Sequence, residues 1–251
     1  MVNIEKIGDY YNSFWSHNNI GEQERSDLRE YEEEVTEYVL KYLKKYFHNL
    51  KGKMLLEIGP GKGHDVIQFA QSGAMVTAID ISKNSLESSK ELAKKNGLLK
   101  KIKLIQMDAH DMKFRNNQFD VIFIKTTLMH LNYRKVINEC KKVLKKDGIL
   151  ISIEPLNENV LIKLYRILFS KFKETKPKYL EYNDLIVISK NFRKYYIKVF
   201  YLFSFISLIF KNNRTMYNQT SKMLKKIENF VLKIFPRVEK NAWLAVSIYI
   251  K

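Results

Sequence analysis

Cysteine is the residue this chain has least of: Cys140 is its single thiol. No intramolecular disulfide can form, and a cysteine-built zinc site or a two-thiol mechanism is excluded. A reducing, cytoplasmic compartment is therefore expected, and no metal site. The sequence also lacks the roughly 20 consecutive apolar residues that a membrane span needs. Its apolar stretch Val199–Phe210 stops after 12 residues. The opening MVNIEKIGDYY has no apolar segment of the secretory kind.

Acids are scarce where bases are plentiful. Of the net charge of +17, residues 1–52 contribute 7 bases and 10 acids, residues 53–158 contribute 18 and 12, and residues 159–251 contribute 19 and 5. Two explanations stand for the basic C-terminal third. One is a compositional bias toward Lys, Asn, Ile, Tyr and Phe. The other is an anionic partner: a lipid headgroup, a nucleic acid or an acidic metabolite.

What is present is a strong alternation. Residues 1–52 read as an N-terminal helical cap, with an aromatic stretch, DYYNSFW, before an amphipathic helix over Arg29–His48. From Lys53 strands and helices take turns: strands at Lys53–Ile58, Met75–Asp80, Ile102–Gln106, Phe119–Ile124 and Gly148–Ile153, helices at His64–Gln71, Ser82–Asn96 and Tyr133–Lys146. Such a rhythm requires right-handed crossovers and a mostly parallel, doubly wound sheet with helices on both faces. Residues 53–158 form this α/β core. Residues 159–251 then add apolar, lysine-rich helices at Val160–Phe172 and Lys222–Phe235 and strands at Tyr195–Tyr201 and Ala242–Ile250.

The stretch LLEIGPGKGHD, Leu55–Asp65, places a glycine-rich turn between the first strand and its helix. Backbone amides at such a turn approach a ligand closely. The nucleoside triphosphate loop G-x-x-x-x-G-K-[ST] does not fit, because Gly63 follows Gly61-Lys62. The dinucleotide fingerprint G-x-G-x-x-G fails at His64. Glu57, two residues before the first glycine, would repel a pyrophosphate and suits a ligand with a positive charge.

Glu57, Gly59, Gly61 and Gly63 spell E-x-G-x-G-x-G, which resembles the first motif of class I S-adenosylmethionine-dependent methyltransferases. The resemblance continues with Asp80 at the end of the second strand, Asp108 and Ala109 in QMDAHDM after the third, FDVIFIKTTLMHL over the fourth, and VLKKDGILIS into the fifth. It covers residues 54–155 tightly and is nearest to the small-molecule methyltransferases of the ubiquinone and menaquinone type. It implies a Rossmann-like, seven-stranded, mostly parallel sheet with an antiparallel C-terminal strand and helical C-terminal insertions. It also implies S-adenosylmethionine as cofactor. Glu57 and the glycines would hold its amino-acid end, Asp80 both ribose hydroxyls, Ile81 one adenine face, and Asp108 and Ala109 the adenine edge. Lys125 would line the site, and Tyr10, Tyr11 and Trp15 would close over it.

Methyl transfer from a sulfonium is mostly a matter of placement. A base is needed only for a hydroxyl or carbon acid, and His130 in the loop after the fourth strand is the candidate. KTTL at Lys125–Leu128 lacks the [DN]-P-P-[YFW] loop of enzymes that methylate adenine amines, and Cys140 lies mid-helix on an apolar face. Nucleic-acid base methylation is therefore disfavoured. The expected acceptor is a small, hydrophobic biosynthetic intermediate, methylated at oxygen. Two alternatives stand beside it: an RNA or protein methyltransferase docking through the basic third, and a non-catalytic, cofactor-binding scaffold. The apolar helices of residues 159–251 could form a lid or tunnel over the site, or touch an anionic membrane peripherally.

Overall fold

The computed structural model describes residues 4–15, 38–47, 49–169, 177–210 and 212–251. The Trp15 side chain, and most of the expected helix before residue 38, lie outside the described residues. Seven strands form one sheet: β1 (Met54–Ile58), β2 (Met75–Asp80), β3 (Ile102–Gln106), β4 (Phe119–Lys125), β5 (Leu144–Pro155), β6 (Lys194–Phe200) and β7 (Leu244–Ile250). Their order is β3-β2-β1-β4-β5-β7-β6. Strands β1 to β5 pair in parallel, and β7 inserts antiparallel between β5 and β6. Eight α-helices are described: α1 (Ile4–Trp15), α2 (38–47), α3 (His64–Gln71), α4 (Lys83–Lys95), α5 (Tyr133–Val143), α6 (Val160–Phe169), α7 (Tyr182–Ser189) and α8 (Arg214–Ile234).

The central strands are buried on both faces, as strand-helix alternation demands, and the edge strands β3 and β6 are partly exposed. Successive β4 residues go to opposite sides: Val121 and Phe123 pack with Leu43, Leu55 and Phe69 under α2 and α3, while Ile122 and Ile124 pack with Val136, Ile137 and Cys140 of α5. Cys140 is fully buried, and burial pushes its thiol pKa up, away from nucleophilic use. Helix α4 begins as its sequence suggests, with Ser82 Oγ accepting the Ser85 N–H at 3.2 Å, and Gly97 turns left-handed just past its end (φ 67°).

Four expectations need correction. The helix expected over Tyr133–Lys146 stops at Val143, because Leu144 is pulled into the ladder opposite Phe119 and is fully buried there. Helix α8 starts eight residues before Lys222, at Arg214, where Asn213 Oδ1 caps the Met216 N–H at 3.1 Å. Helix α7 has no counterpart in the periodicity reading; its N-terminus is fixed by Asp184, whose Oδ2 accepts the Glu181 N–H at 3.0 Å. The apolar run Val199–Phe210 divides between the end of β6 and a 3-10 helix over Ser204–Phe210.

Among the described residues no helix is long and apolar enough to cross a membrane.

Candidate functional site

The site lies at the carboxyl edge of the parallel strands, where β1 and β4 neighbour each other while their crossovers leave in opposite directions. Between β1 and α3 the backbone is left-handed at all three glycines: φ is 73° at Gly59, 55° at Gly61 and 83° at Gly63. Residues with a Cβ pay a steric penalty in that region. The neighbours also forbid one. A Cβ on Gly59 would lie 2.4 Å from Thr127 Oγ1, and one on Gly63 would lie 2.9 Å from the Ser89 backbone. The glycines thus let the turn press against β4's loop and α4. Gly59 N–H donates to Ile79 O at 2.9 Å, and Gly61 O accepts from Ser89 Oγ at 3.2 Å.

Three acids converge beneath this turn. Glu57, Asp65 and Asp80 are near enough that the other two raise the Glu57 pKa. Burial raises it more, and the Lys125 ammonium offsets only part, so the carboxyl lies well above its ordinary range. Glu57 is buried, and its Oε2 has no hydrogen-bond partner among the described residues. Lys125 forms an ion pair with Asp65, which is buried in the first turn of α3 where the helix dipole favours a carboxylate. Among the described residues the Lys125 ammonium acts on Glu57 and Asp65, and Glu57 feels both Asp65 and Asp80. Such a pocket has room for further positive charge, and a buried carboxylate oxygen to receive it.

Asp80 ends β2 with both oxygens directed. Oδ1 accepts the Ser82 N–H at 2.9 Å, and Oδ2 lies 2.7 Å from Ser85 Oγ. Burial raises its pKa against these bonds. The Ile81 and Gly61 backbone N–H groups also act on this carboxylate. Ile81 follows, covered by α1: a Cβ on Gly8 would stand 3.6 Å from its side chain. Asn12 fastens that helix, accepting Ser82 Oγ–H on Oδ1 at 2.9 Å and Asn84 Nδ2–H on its carbonyl at 2.7 Å.

Asp108 and Ala109 sit just past β3. Asp108 Oδ1 is engaged by the His110 backbone N–H at 2.9 Å and by His110 Nδ1 at 2.7 Å. Because His110 Nε2 accepts the Asn132 N–H at 3.0 Å, Nδ1 carries the proton. Any ligand contact of Asp108 must use its other oxygen. Ala109 is buried against the α5 side of the core.

His130 is buried in the loop after β4, with its Nε2 2.8 Å from the Tyr11 hydroxyl and the rings edge-on at 5.4 Å. Burial lowers its pKa to about 4, so the imidazole is neutral at physiological pH. The loop is held by Glu154, at the end of β5, whose Oε1 accepts the Thr127 N–H at 3.2 Å and the Leu128 N–H at 3.0 Å. Burial outweighs these donors and pushes the Glu154 pKa up to about 8.

Helix α1 therefore brings Tyr11 to His130 and Gly8 to Ile81, while β1, β2 and β4 bring Glu57, Asp80 and Lys125 together. Sequence reasoning missed Asp65, Ser85, Ser89, His110 and Glu154. Three of these left a signal. An acid closing an otherwise apolar strand, ILISIEP, announces a buried carboxyl, and the small polar pair Ser85 and Ser89 shares the inner face of α4.

Residues 56–152 match the family model described as a methyltransferase domain. A ubiquinone biosynthesis O-methyltransferase from Haemophilus ducreyi is 35% identical over 115 residues, covering 43% of this chain and 48% of that protein. A demethylmenaquinone methyltransferase from Staphylococcus aureus is 32% identical over 108 residues, 41% of this chain and 44% of that protein. The chain thus spans about half the length of the curated relatives it matches. In fold, phosphoethanolamine N-methyltransferase 2 from Haemonchus contortus, solved with S-adenosylhomocysteine, superposes with a TM-score of 0.63 at 17% identity, over 88% of this chain and 56% of that one. Strand order, glycine turn and family match agree: the chain carries a methyltransferase domain, built on residues 56–152.

Proposed function

We propose that the protein is an S-adenosylmethionine-dependent methyltransferase of a small, apolar biosynthetic intermediate, acting at oxygen. The observation that carries this reading is the acid cluster under the glycine turn: Glu57, Asp65 and Asp80 close together, and a buried Glu57 oxygen with no partner among the described residues. A dinucleotide's pyrophosphate would be repelled there, whereas an ammonium beside a sulfonium is drawn in. When bound, the cofactor supplies a methyl group on a positively charged sulfur.

The chain's own residues then divide the work. Glu57 receives the ammonium, and the glycine turn, having no Cβ at Gly59, Gly61 and Gly63, lets the amino-acid moiety lie close to the backbone. Lys125, held by Asp65, offers its remaining protons to the carboxylate. Asp80 takes the ribose hydroxyls, and Asp108 and Ala109 read the adenine edge beside Ile81. Tyr11, on α1, covers the site and excludes water. Placement of the acceptor oxygen in line with the methyl accounts for most of the rate.

His130 serves as the base through Tyr11. The acceptor hydroxyl gives its proton to the Tyr11 oxygen while Tyr11 gives its own to His130 Nε2. A pKa of about 4 leaves the substrate-free imidazole neutral, though a weak base. A relative named as a ubiquinone biosynthesis O-methyltransferase suggests a quinol-like hydroxyl here, and one named as a demethylmenaquinone methyltransferase supports a quinone-type acceptor. Incubation with methyl-labelled S-adenosylmethionine and an apolar metabolite extract tests the reading. Label in an apolar product, with equimolar S-adenosylhomocysteine, is expected. Label confined to RNA or protein would overturn the small-molecule assignment.

A further inference from the structure

Helix α8 is built with its apolar stripe facing water. Met216, Met223, Ile227, Phe230 and Ile234 recur every three, four or seven residues and form one face. Ordinarily such a face is the buried one. Here Phe230 is 64% exposed and Met223 54%, while Glu228 and Ser221 are 4% and 5% exposed on the opposite side. The inward face carries polar anchors beside Leu232, which packs on the core: Glu228 Oε1 accepts the Leu202 N–H, and the Lys225 ammonium stands 3.9 Å over the Tyr38 ring. Beside the outward stripe lie the exposed Lys222, Lys226 and Lys233. Helix α6 repeats the pattern, with Val160, Leu161, Leu164 and Ile167 exposed, Lys163 among them, and no acid anywhere in it.

Topology brings both helices to the edge that holds the site. Strands β5 and β6 are each antiparallel to β7 and so point the same way. Helix α6 leaves the carboxyl end of β5, and α8 belongs to the connection leaving the carboxyl end of β6. Asn159, just before α6, ties the two together by donating from Nδ2 to Leu202 O at 3.0 Å and to Asn241 O at 2.7 Å. Residues 159–251 carry 19 bases against 5 acids. Nucleic acid would match the charge but has no use for aliphatic side chains aimed outward. A bilayer with anionic headgroups uses both, with the apolar stripe below the headgroups and the lysine ammoniums among them.

We propose that the outer face of α8, continued by α6, is a docking surface for an anionic lipid bilayer. Docking sets the carboxyl edge of the sheet against the membrane, so that an apolar acceptor enters from the lipid. The entry route rests on the methyltransferase reading above; the docking itself does not. The test is flotation of the full chain with vesicles of mixed phosphatidylglycerol and phosphatidylcholine, and with phosphatidylcholine alone, at about 0.15 M salt where exposed charges are screened beyond about 8 Å. The parent is expected to float with the anionic vesicles only. Ile227→Glu with Phe230→Glu should abolish flotation, and Lys222→Ala with Lys226→Ala should weaken partitioning roughly 30-fold, about fivefold per lysine. S-adenosylhomocysteine affinity, followed by calorimetry, should not change in either variant. Failure of the parent to float while binding S-adenosylhomocysteine would overturn docking and leave the methyltransferase reading standing; flotation without cofactor binding would do the reverse. A parent that does not float but sediments as a dimer, dissolved by the glutamate pair, would also overturn docking.

Discussion

Glu154→Gln should make the protein less sensitive to alkali, and by an amount the structure allows to be worked out. In the folded chain Glu154 is 1% exposed, with two backbone N–H donors on one oxygen and no partner among the described residues for the other. Its pKa rises from an ordinary 4.5 to about 8. The folded state then holds a proton that the unfolded state has lost across that interval, so stability is fully present below pH 4.5 and falls as pH climbs to 8. At 1.36 kcal/mol per pH unit the loss from this one group is about 4–5 kcal/mol. Glutamine cannot ionise, and its amide oxygen keeps both donors. Its amide protons gain no partner, which costs about 1 kcal/mol at pH 5, where the parent carboxyl is also neutral. The two stability curves should therefore cross, with the variant slightly weaker at pH 5 and several kcal/mol stronger at pH 8.5. Urea unfolding at closely spaced pH values measures both. Parallel curves, or a variant that loses ground as pH rises, would refute the placement of a neutral carboxyl beneath the His130 loop.

Gly59→Ala should cost about 2–4 kcal/mol, combining a left-handed residue with overpacking against Thr127. Thr127→Ala should restore part of that in a thermal melt; a Gly59→Ala protein as stable as the parent would show that the turn has slack. Burial and its acid neighbours raise the Glu57 pKa, and an arriving ammonium should lower it again, releasing protons to the buffer. The calorimetric enthalpy of S-adenosylhomocysteine binding should then differ between phosphate and Tris buffers, and Glu57→Gln should remove the difference. Equal enthalpies in both buffers for the parent would rule out that release.

The strands of the domain were legible because each is a short apolar run ended by a glycine, an acid or a cap. Strands β2 and β3 fall on the residues their patterns mark, Met75–Asp80 and Ile102–Gln106. Local pattern failed where distant contacts decide. Leu144 continues a helical face in sequence, yet its place opposite Phe119 makes it a strand residue. The apolar face of α8 was visible, but periodicity says only that a face exists, not which side the rest of the fold occupies. Polar anchors such as Glu228 settle that, and they emerge only in three dimensions. In the site, the acids of the motifs stood out, whereas His110 and Asp65 act through partners 2 and 60 residues away, Asp108 and Lys125.

Calorimetric titration of S-adenosylhomocysteine and of nicotinamide adenine dinucleotide into the parent and Asp80→Ala tests the central claim, that this acid-lined turn selects a cationic cofactor. Binding of the sulfur compound alone is expected, weakened by about 1–3 kcal/mol in the variant, the usual loss of charge-assisted hydrogen bonds. Binding of the dinucleotide alone would contradict the account.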